Sequence, residues 1–396
     1  MRSGALTILV PEAHSIAGVG CIRSLGRAGH RVIACAQSCD ALGLASRYAA
    51  VPLVAPAYSD AGTFERWLGD AVRVHQIDAI IPSEGLLLAL RPILARYLPL
   101  MPLAGAPERM LASLSKYDLF ERFARSADPR LEENLPGHVL VERGHEALAE
   151  PALARLRPPL YLKVDGVHAT GNQGSEVRRF ERPGLLREAL PDTLRRYAKC
   201  IVQEHVEGVG VGAFFLRWQG EVNAVLMHRR LHEVPYTGGQ SSLRETWWHD
   251  AIHADAARRM EALDWEGVGM LEYRWNPATG AFWLMEFNAR FWGSLHLALF
   301  AGVDFPALLI DAWRGGGRTV PTPPAGLRCR LTFPKEVEYV ASRLKSQSLG
   351  PAAKLGSAIE FFLLGLDPRV RSDLWFPGDT GLYWRSMLMS VRKFLS

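Results

Sequence analysis

Short apolar runs alternate with amphipathic segments over the first hundred residues of the chain. The runs predict β-strands, and the segments, in which apolar residues recur every three or four positions, predict helices. The predicted strands are Leu6–Val10, Arg31–Ala36, Val51–Val54 and Asp78–Pro82, and the predicted helices are Ile16–Arg27, Thr63–His75 and Gly85–Tyr97. Regular alternation of strand and helix is typical of a parallel sheet covered by helices, so we expect an α/β fold here.

Further along the chain, apolar runs separated by tight turns favour antiparallel strands. These predicted strands are Val139–Val141, Leu160–Val164, Glu176–Phe180, Val202–His205, Gly210–Trp218, Glu221–His228, Gly267–Trp275 and Ala281–Phe287. Helical spacing predicts helices at Lys116–Arg125, Asp250–Leu263, Leu308–Trp313 and Leu382–Leu395. We therefore expect a β-rich second unit that is followed by a helical end.

Composition places the chain among ordinary soluble proteins of enzyme size. Of its 396 residues, 48% are apolar and 22% are charged, and this length suffices for two or three packed units. No apolar run approaches the roughly 18–20 residues that cross a bilayer, and the N-terminus lacks the features of a secretory signal. The five cysteines form no metal-spaced quartet, so we expect reduced thiols in a cytoplasmic protein.

The formal charge of +5 is concentrated at the C-terminal end. Residues 327–396 hold 11 Lys/Arg and 6 Asp/Glu, so the preceding residues are balanced. These charges are scattered among apolar residues, and we expect no nucleic-acid partner. The amphipathic segment Leu382–Leu395 is expected to dock on its own protein, and a contact with a membrane surface is left open.

The most informative segment is Glu286-Phe287-Asn288-Ala289-Arg290, which follows Glu272 on the neighbouring predicted strand. Because side chains alternate along a strand, the acid, the amide and the arginine share one face within an apolar wall. Such a set suits a magnesium–polyphosphate complex, with oxygen ligands for the metal and Arg290 for a phosphoryl oxygen. A structural salt-bridge cluster remains an equal alternative on this segment alone.

Two lysines and a glycine-bearing loop are candidates for binding phosphates. Lys116 opens a helix, and Lys163 lies in an apolar strand, where it needs an anion or a carboxylate as a partner. The loop at 167–175, which contains Gly171 and Gly174, could bind phosphates through its N–H groups. The strand end Gln203–Gly208 could offer backbone groups to adenine, although a plain polar strand end has the same pattern.

A dinucleotide-binding fingerprint is not complete in this chain. Gly18-Val19-Gly20 follows the first strand, but Arg23 occupies the position of the third glycine. We therefore expect a turn that opens a helix, and a nicotinamide-dependent oxidoreductase is disfavoured.

In this order, these motifs resemble the ATP-grasp superfamily, and in particular the carboxylate–amine ligase type related to carbamoyl-phosphate synthase. The blocks Phe291–Ser294, Ala301–Pro306 and His228–Gly239 add to the resemblance. It implies a Rossmann-like pre-ATP-grasp α/β domain (1–105) and an α+β ATP-grasp domain (106–320). The latter would have a small lid subdomain at about 135–205 and a large subdomain at about 206–320. A basic, helical C-terminal extension of unknown role (321–396) would follow.

The resemblance also implies roles for particular residues. The nucleotide would be bound by Lys116, Lys163, Gly171, Gly174, Gln203, Glu204, His205, Val206 and Glu207, the last of these at the ribose. The magnesium ligands, with Mn²⁺ as an alternative metal, would be Glu272, Glu286 and Asn288. Many relatives carry an acid directly after the glycine that ends the adenine-binding segment. In this chain that glycine is Gly208, and Val209 follows it.

The implied reaction is ATP-dependent activation of a carboxylate as an acyl phosphate, followed by attack of an amine. Arg290 would contact the γ-phosphate or acyl phosphate, and His228, Arg229 and Arg230 are candidates for gripping the substrate carboxylate, since Arg offers a bidentate fork. His228 could also take a proton, because imidazole titrates near neutral pH. Alternatives are an acid–thiol ligase and a catalytically silent nucleotide-binding regulator. A homodimer is compatible with these patterns.

Overall fold

Four parallel strands form the first sheet in the computed structural model, which describes residues 4–171, 174–236 and 238–395. The strand order is β3-β2-β1-β4. The strands are β1 (Thr7–Val10), β2 (Arg31–Ala36), β3 (Val51–Val54) and β4 (Ala79–Ile80). The helices of this part are α1 (Ile16–Arg27), α2 (Ala61–His75), α3 (Glu84–Ala89), α4 (Leu94–Tyr97) and α5 (Pro107–Ala112). Because β1 lies between β2 and β4, residues that follow β1 and β4 meet at a switch point, where such sheets bind ligands.

The predicted helix Gly85–Tyr97 is wrong in its continuity. A 3₁₀ turn at Arg91–Ile93 separates α3 from α4. Pro92 within that turn has no N–H to donate and its ring crowds the preceding turn, so a single regular helix cannot run through it.

The glycines after β1 have a packing role. The N-cap of α1 is Ser15, whose Oγ accepts a hydrogen bond from the N–H of Gly18 at 2.9 Å. A Cβ on Gly18 would lie 2.5 Å from a backbone oxygen, and a Cβ on Gly20 would lie 2.8 Å from the side chain of Leu295. Both glycines therefore allow close packing at a turn that opens a helix, as predicted.

A second, four-stranded antiparallel sheet has the order β5-β8-β6-β7. Its strands are β5 (His138–Glu142), β6 (Leu160–Val164), β7 (Glu176–Phe180) and β8 (Lys199–Glu204), and the neighbouring helices are α6 (Lys116–Ala124), α7 (Glu146–Leu153) and α8 (Pro183–Arg196). Leu162 and Val202 point into a small core under this sheet. Lys163 and Gln203 alternate with them and therefore lie on the opposite face.

The third sheet has seven strands in the order β13-β12-β9-β10-β11-β14-β15. The strands are β9 (Val209–Trp218), β10 (Glu221–Val234), β11 (Gln240–Thr246), β12 (Gly267–Trp275), β13 (Phe282–Asn288), β14 (Arg328–Arg330) and β15 (Val370–Ser372), and the helices that follow β11 and β13 are α9 (Asp250–Leu263), α10 (Leu295–Phe300) and α11 (Phe305–Trp313). All pairs are antiparallel except β14 with β15. Strand β10 extends beyond its predicted end because its polar second half pairs with β11.

The C-terminal segment is part of this architecture. Besides β14 and β15 it contains α12 (Val337–Lys345), α13 (Pro351–Leu366) and α14 (Gly381–Leu395). Asp373 forms a fully buried ion pair with Arg244 of β11, and Asp379 accepts a 2.9 Å hydrogen bond from Arg23 of α1. These pairs join the segment to the seven-stranded sheet and to helix α1. The domain boundaries given above stay a prediction.

Candidate active site

Two carboxylates face each other on paired strands of the seven-stranded sheet. Glu272 of β12 is the direct register partner of Glu286 of β13. Asn288 lies two residues further along β13, and its Nδ2 donates to Glu286 Oε1 at 2.9 Å. Like charges directly opposite each other destabilise a sheet, so this pair requires cations nearby.

Protein cations neutralise both carboxylates. Lys116 Nζ lies 3.1 Å from Glu286 Oε2 and 3.2 Å from Asp165 Oδ1, and Arg230 Nη2 lies 2.5 Å from Glu272 Oε2. Burial acts to raise the pKa of Glu286, but the ammonium groups of Lys116 and Lys163 and the bond from Asn288 hold that pKa at about 2. Burial acts to lower the pKa of Lys116, yet Glu286 and Asp165 raise it well above its usual value. Both groups are therefore charged at neutral pH.

Lys163 lacks the direct partner that Lys116 has. Its side chain is 7% exposed, and no ion pair to it occurs within the described residues. Burial lowers the pKa of Lys163 to about 8, although Glu286 acts in the opposite direction. A desolvated cation without a close counter-ion is a suitable binding group for a phosphate.

Gln203 carries a second unsatisfied group on the same face of the small sheet. Its side chain is fully buried, and neither its oxygen nor its nitrogen has a hydrogen-bond partner in the part of the chain that the structure describes. The neighbouring inward residue of β8, Ile201, belongs to the core that also contains Phe287 of β13. Gln203 therefore faces the space between the small and the large sheet, where a polar ligand would satisfy it.

The other residues of this segment that are predicted to bind the nucleotide lie around the end of β8. Glu204 Oε1 accepts a hydrogen bond from the backbone N–H of Arg157 at 2.8 Å, so this carboxylate already has a partner within the protein. His205 is exposed and stacks on Tyr161, with ring centroids 5.8 Å apart. Val206 is half-buried, and Glu207 is exposed to solvent. The ribose role of Glu207 stays a prediction.

The glycine loop reaches a cavity that also contains the facing carboxylates Glu272 and Glu286. Gly174 lines this cavity, and its carbonyl accepts a hydrogen bond from Tyr197 Oη at 2.8 Å. Gly171 has a φ of +83°, a backbone conformation that favours glycine. The predicted loop residues Asn172 and Gln173 lie outside the described residues.

A cavity of about 750 Å³ joins the first sheet to the paired carboxylates. Residues at the carboxyl ends of β1 and β4 form one wall, and the opposite wall contains Glu272, Glu286, Asn288 and Arg290. Arg290 Nε lies 3.2 Å from Glu84 Oε2 and connects the two walls. Ser83 and Glu84, which follow β4, both line this cavity.

Glu12 is a candidate that the sequence motifs did not identify. It lines the cavity, accepts a 2.8 Å hydrogen bond from Ser83 Oγ, and forms no ion pair within the described residues. Its φ of +52° is unusual for a residue with a side chain. In the sequence, only its position shortly after the first predicted strand indicated that Glu12 could lie at a site. Asp165, which holds Lys116, was missed because its partner comes from a distant helix.

The predicted role of Arg229 at the substrate is wrong. Strand alternation sends its side chain to the face opposite Arg230, where its Nη2 lies 2.5 Å from Glu245 Oε1. Glu245 also pairs with Arg328, and neither Arg229 nor Glu245 lines the cavity. Arg230 is the arginine of this block that reaches the site.

His228 lines the cavity, but the reason given for its proton transfer is wrong. Its ring is buried against Phe214, and Nε2 lies 2.9 Å from Ser294 Oγ. Burial, reinforced by Arg230 and Arg244, lowers the pKa of His228 well below its usual value. The imidazole is therefore neutral at physiological pH and is a weak base.

The donor set for a metal consists of the two facing carboxylates and one amide. No group of three or more His, Cys, Asp or Glu side chains in the described ranges could hold a metal ion. Hard oxygen donors suit magnesium, which commonly uses one or two carboxylates together with phosphate oxygens. Glu272, Glu286 and Asn288 fit that arrangement when a polyphosphate is present.

A parallel α/β sheet, a small antiparallel sheet that carries Lys163 and a large sheet that carries the facing acids together form the ATP-grasp fold. The predicted recognition and fold class are confirmed. The family model for "ATP-grasp in the biosynthetic pathway with Ter operon" matches residues 196–332, and the chain has the ATP-grasp fold. A search of curated proteins found no match.

Solved structures support the fold over most of the chain. A biotin carboxylase from Campylobacter jejuni has a TM-score of 0.60 at 17% identity, covering 80% of this chain and 72% of its own. An L-amino acid ligase from Bacillus licheniformis has a TM-score of 0.58 at 17% identity, covering 79% and 75%. The ADP complex of an N5-carboxyaminoimidazole ribonucleotide synthetase has a TM-score of 0.62 at 15% identity, covering 91% and 97%.

Proposed function

We propose that the protein is an ATP- and Mg²⁺-dependent ligase that activates a carboxylate as an acyl phosphate and joins it to an amine. The observation that carries this proposal is the facing pair Glu272 and Glu286, which lines a cavity shared with the N-terminal domain. Solved structures with this fold include a biotin carboxylase, an L-amino acid ligase and a synthetase bound to ADP. The reaction class of this chain is inferred from that fold and from its own charges.

The nucleotide is placed between the small and the large sheet. Lys163 and Lys116 contact its phosphates, and the unsatisfied amide of Gln203 lies near the base. The backbone of Glu204 to Val206 holds the adenine edge. The desolvated cation and amide on one sheet face support this placement, since a ligand with negative and polar groups would satisfy both.

Magnesium would be held by Glu272, Glu286 and Asn288, and it would neutralise charge on the triphosphate. Arg230 pairs with Glu272, and Lys116 pairs with Glu286. Both cations are thus positioned to contact phosphate or carboxylate oxygens when the ligands enter.

The chemistry proceeds by two displacements. A substrate carboxylate oxygen attacks the γ-phosphorus of ATP, the bond to the β-phosphate oxygen breaks, and ADP leaves. The amine nitrogen then attacks the acyl carbon, the carbon–oxygen bond to phosphate breaks, and a proton leaves the nitrogen. Such transfers need positioning and charge stabilisation more than a protein nucleophile, and Arg290 and Lys163 supply positive charge at the transferred group.

The acid and the amine are placed in the large cavity. Arg230 and Arg290 on one wall suit a carboxylate, and Glu12 on the other wall suits a polar or cationic group. A thiol acceptor would require the same activation step, so thiols must be tested as acceptors together with amines.

Calorimetry with ADP or ATP and Mg²⁺ tests the proposal, together with ADP release over a panel of acids, amines and thiols. We expect Mg²⁺-dependent binding and at least one acid–acceptor pair that releases ADP. Glu286→Gln should weaken Mg²⁺-dependent binding by about tenfold or more, because it removes a charged metal donor.

Glu245→Gln is the matched control, because it also changes a buried, ion-paired carboxylate of the same sheet outside the cavity. Equal binding by the parent and Glu286→Gln would refute the site. Binding without ADP release from any pair would instead favour the silent regulatory protein.

A further inference from the structure

Helix α13 turns an apolar stripe outward. Only Ser357 and Leu364 are buried on this helix of 16 residues. Large apolar side chains recur at positions that share one helical face, and between 48% and 80% of each is exposed: Leu355, Ile359, Phe362, Leu363 and Leu366. We call this set the α13 stripe. A soluble protein normally buries such a face, so the α13 stripe requires a partner.

Exposed apolar side chains are concentrated in this part of the chain. Of the 17 large apolar side chains that are exposed in the described residues, 11 lie between positions 344 and 391. On α14, Trp384, Leu388 and Val391 form a second exposed row, and Trp375 packs edge-on against Trp384. Tryptophan is enriched where proteins meet the polar–apolar boundary of a bilayer.

Cations lie close to the α13 stripe in the sequence. Lys345 precedes the helix, Lys354 lies in its first turn and Arg371 follows its end, and none of the three forms an ion pair within the described residues. The nearby acids are both engaged, since Glu360 lies 3.4 Å from His232 Nε2 and Asp367 pairs with Arg369. Residues 345–371 hold four Lys/Arg and two Asp/Glu, so the segment that carries the stripe has a net positive charge.

We propose that the α13 stripe lies on the surface of an anionic lipid bilayer. Apolar side chains would enter the boundary between headgroups and acyl chains, and these cations would contact anionic headgroups. A second copy of the chain is disfavoured, because a two-fold contact would bring identical basic segments together. None of the described helices is both long and apolar enough to span a membrane.

Co-sedimentation of the full chain with vesicles tests this proposal without reference to catalysis. We expect binding to vesicles of phosphatidylcholine mixed with phosphatidylglycerol, weaker binding to phosphatidylcholine alone, and weakening by salt. Phe362→Ser combined with Leu366→Ser should weaken binding on the order of a hundredfold, because two apolar side chains no longer leave water. Lys345→Gln combined with Arg371→Gln should weaken binding by roughly tenfold on the anionic vesicles only.

Leu148→Ser is the matched control, since Leu148 is 78% exposed on α7 and should not affect vesicle binding. All variants change exposed residues, and unchanged circular dichroism checks their fold. The proposal is wrong if the parent does not bind anionic vesicles, or if the Phe362/Leu366 variant binds as the parent does. Loss of a dimer in size exclusion by that variant, without any vesicle binding, would show that a second copy covers the stripe.

Discussion

At the scale of single residues, Lys163 is expected to favour nucleotide binding and to lower the stability of the folded protein. Its buried ammonium group has no close counter-ion in the described residues, which disfavours the folded state. Lys163→Met should therefore raise the free energy of unfolding of the nucleotide-free protein by about 1 kcal/mol or more. The same change should weaken ADP binding by about tenfold. Urea unfolding and calorimetry measure the two effects.

Lys199→Met on the neighbouring strand serves as the control, because Lys199 already pairs with Asp118 at 3.5 Å and its loss should not stabilise the protein. A less stable Lys163→Met variant would contradict this prediction.

The dependence of stability on pH, which Lys163 causes, has a definite sign. The folded pKa of Lys163 is about 8, below the unfolded value of roughly 10.4, so the unfolded state binds more protons between them. The stability gap between parent and variant should shrink as pH rises through this window.

The motif around Glu286 could be read from the sequence because strand periodicity acts over neighbouring residues. Alternation alone placed Glu286, Asn288 and Arg290 on one face. The same rule separates Arg229 from Arg230, and its consistent application would have excluded Arg229. Glu12 and Asp165 could not be found in this way, because their partners come from distant segments.

At the scale of elements, α1 depends on a contact that is distant in sequence. Arg23 of α1 is fully buried and donates to Asp379 and to the carbonyl oxygens of Asp373 and Leu374. Arg23→Ala should lower the free energy of unfolding by about 3–5 kcal/mol, because it leaves the buried carboxylate of Asp379 without its counter-ion. Chemical denaturation measures this loss.

Arg73→Ala is the control for that variant. Arg73 pairs with Asp70, and because both side chains are exposed, this ion pair contributes little to stability. Similar stability losses in both variants would contradict the structural role of Arg23. The sequence identified Arg23 only as a departure from a glycine fingerprint. Its role depends on a segment more than 350 residues away.

At the scale of the whole molecule, the proposed nucleotide site lies between two sheets, so its ligand should hold them together. ADP with Mg²⁺ at about 100 times its Kd should stabilise the folded protein by about 2.7 kcal/mol. A rise in Tm of several degrees should follow in thermal unfolding. Chelation of the metal with EDTA should remove most of the rise. An equal rise in EDTA would show that the carboxylates hold no metal.

The sequence by itself determined the order of strands and helices, the face shared by Glu286, Asn288 and Arg290, and the incomplete dinucleotide fingerprint. These properties depend on periodicity, turn residues and charge, which act within a few neighbouring residues. Only the tertiary structure decided that Glu272 faces Glu286, that Lys116 rather than Lys163 is paired, and that Arg230 reaches the cavity. It also decided that the basic C-terminal segment completes a sheet while leaving the α13 stripe exposed. Such contacts join residues far apart in the chain, and their energies depend on burial, which no local pattern specifies.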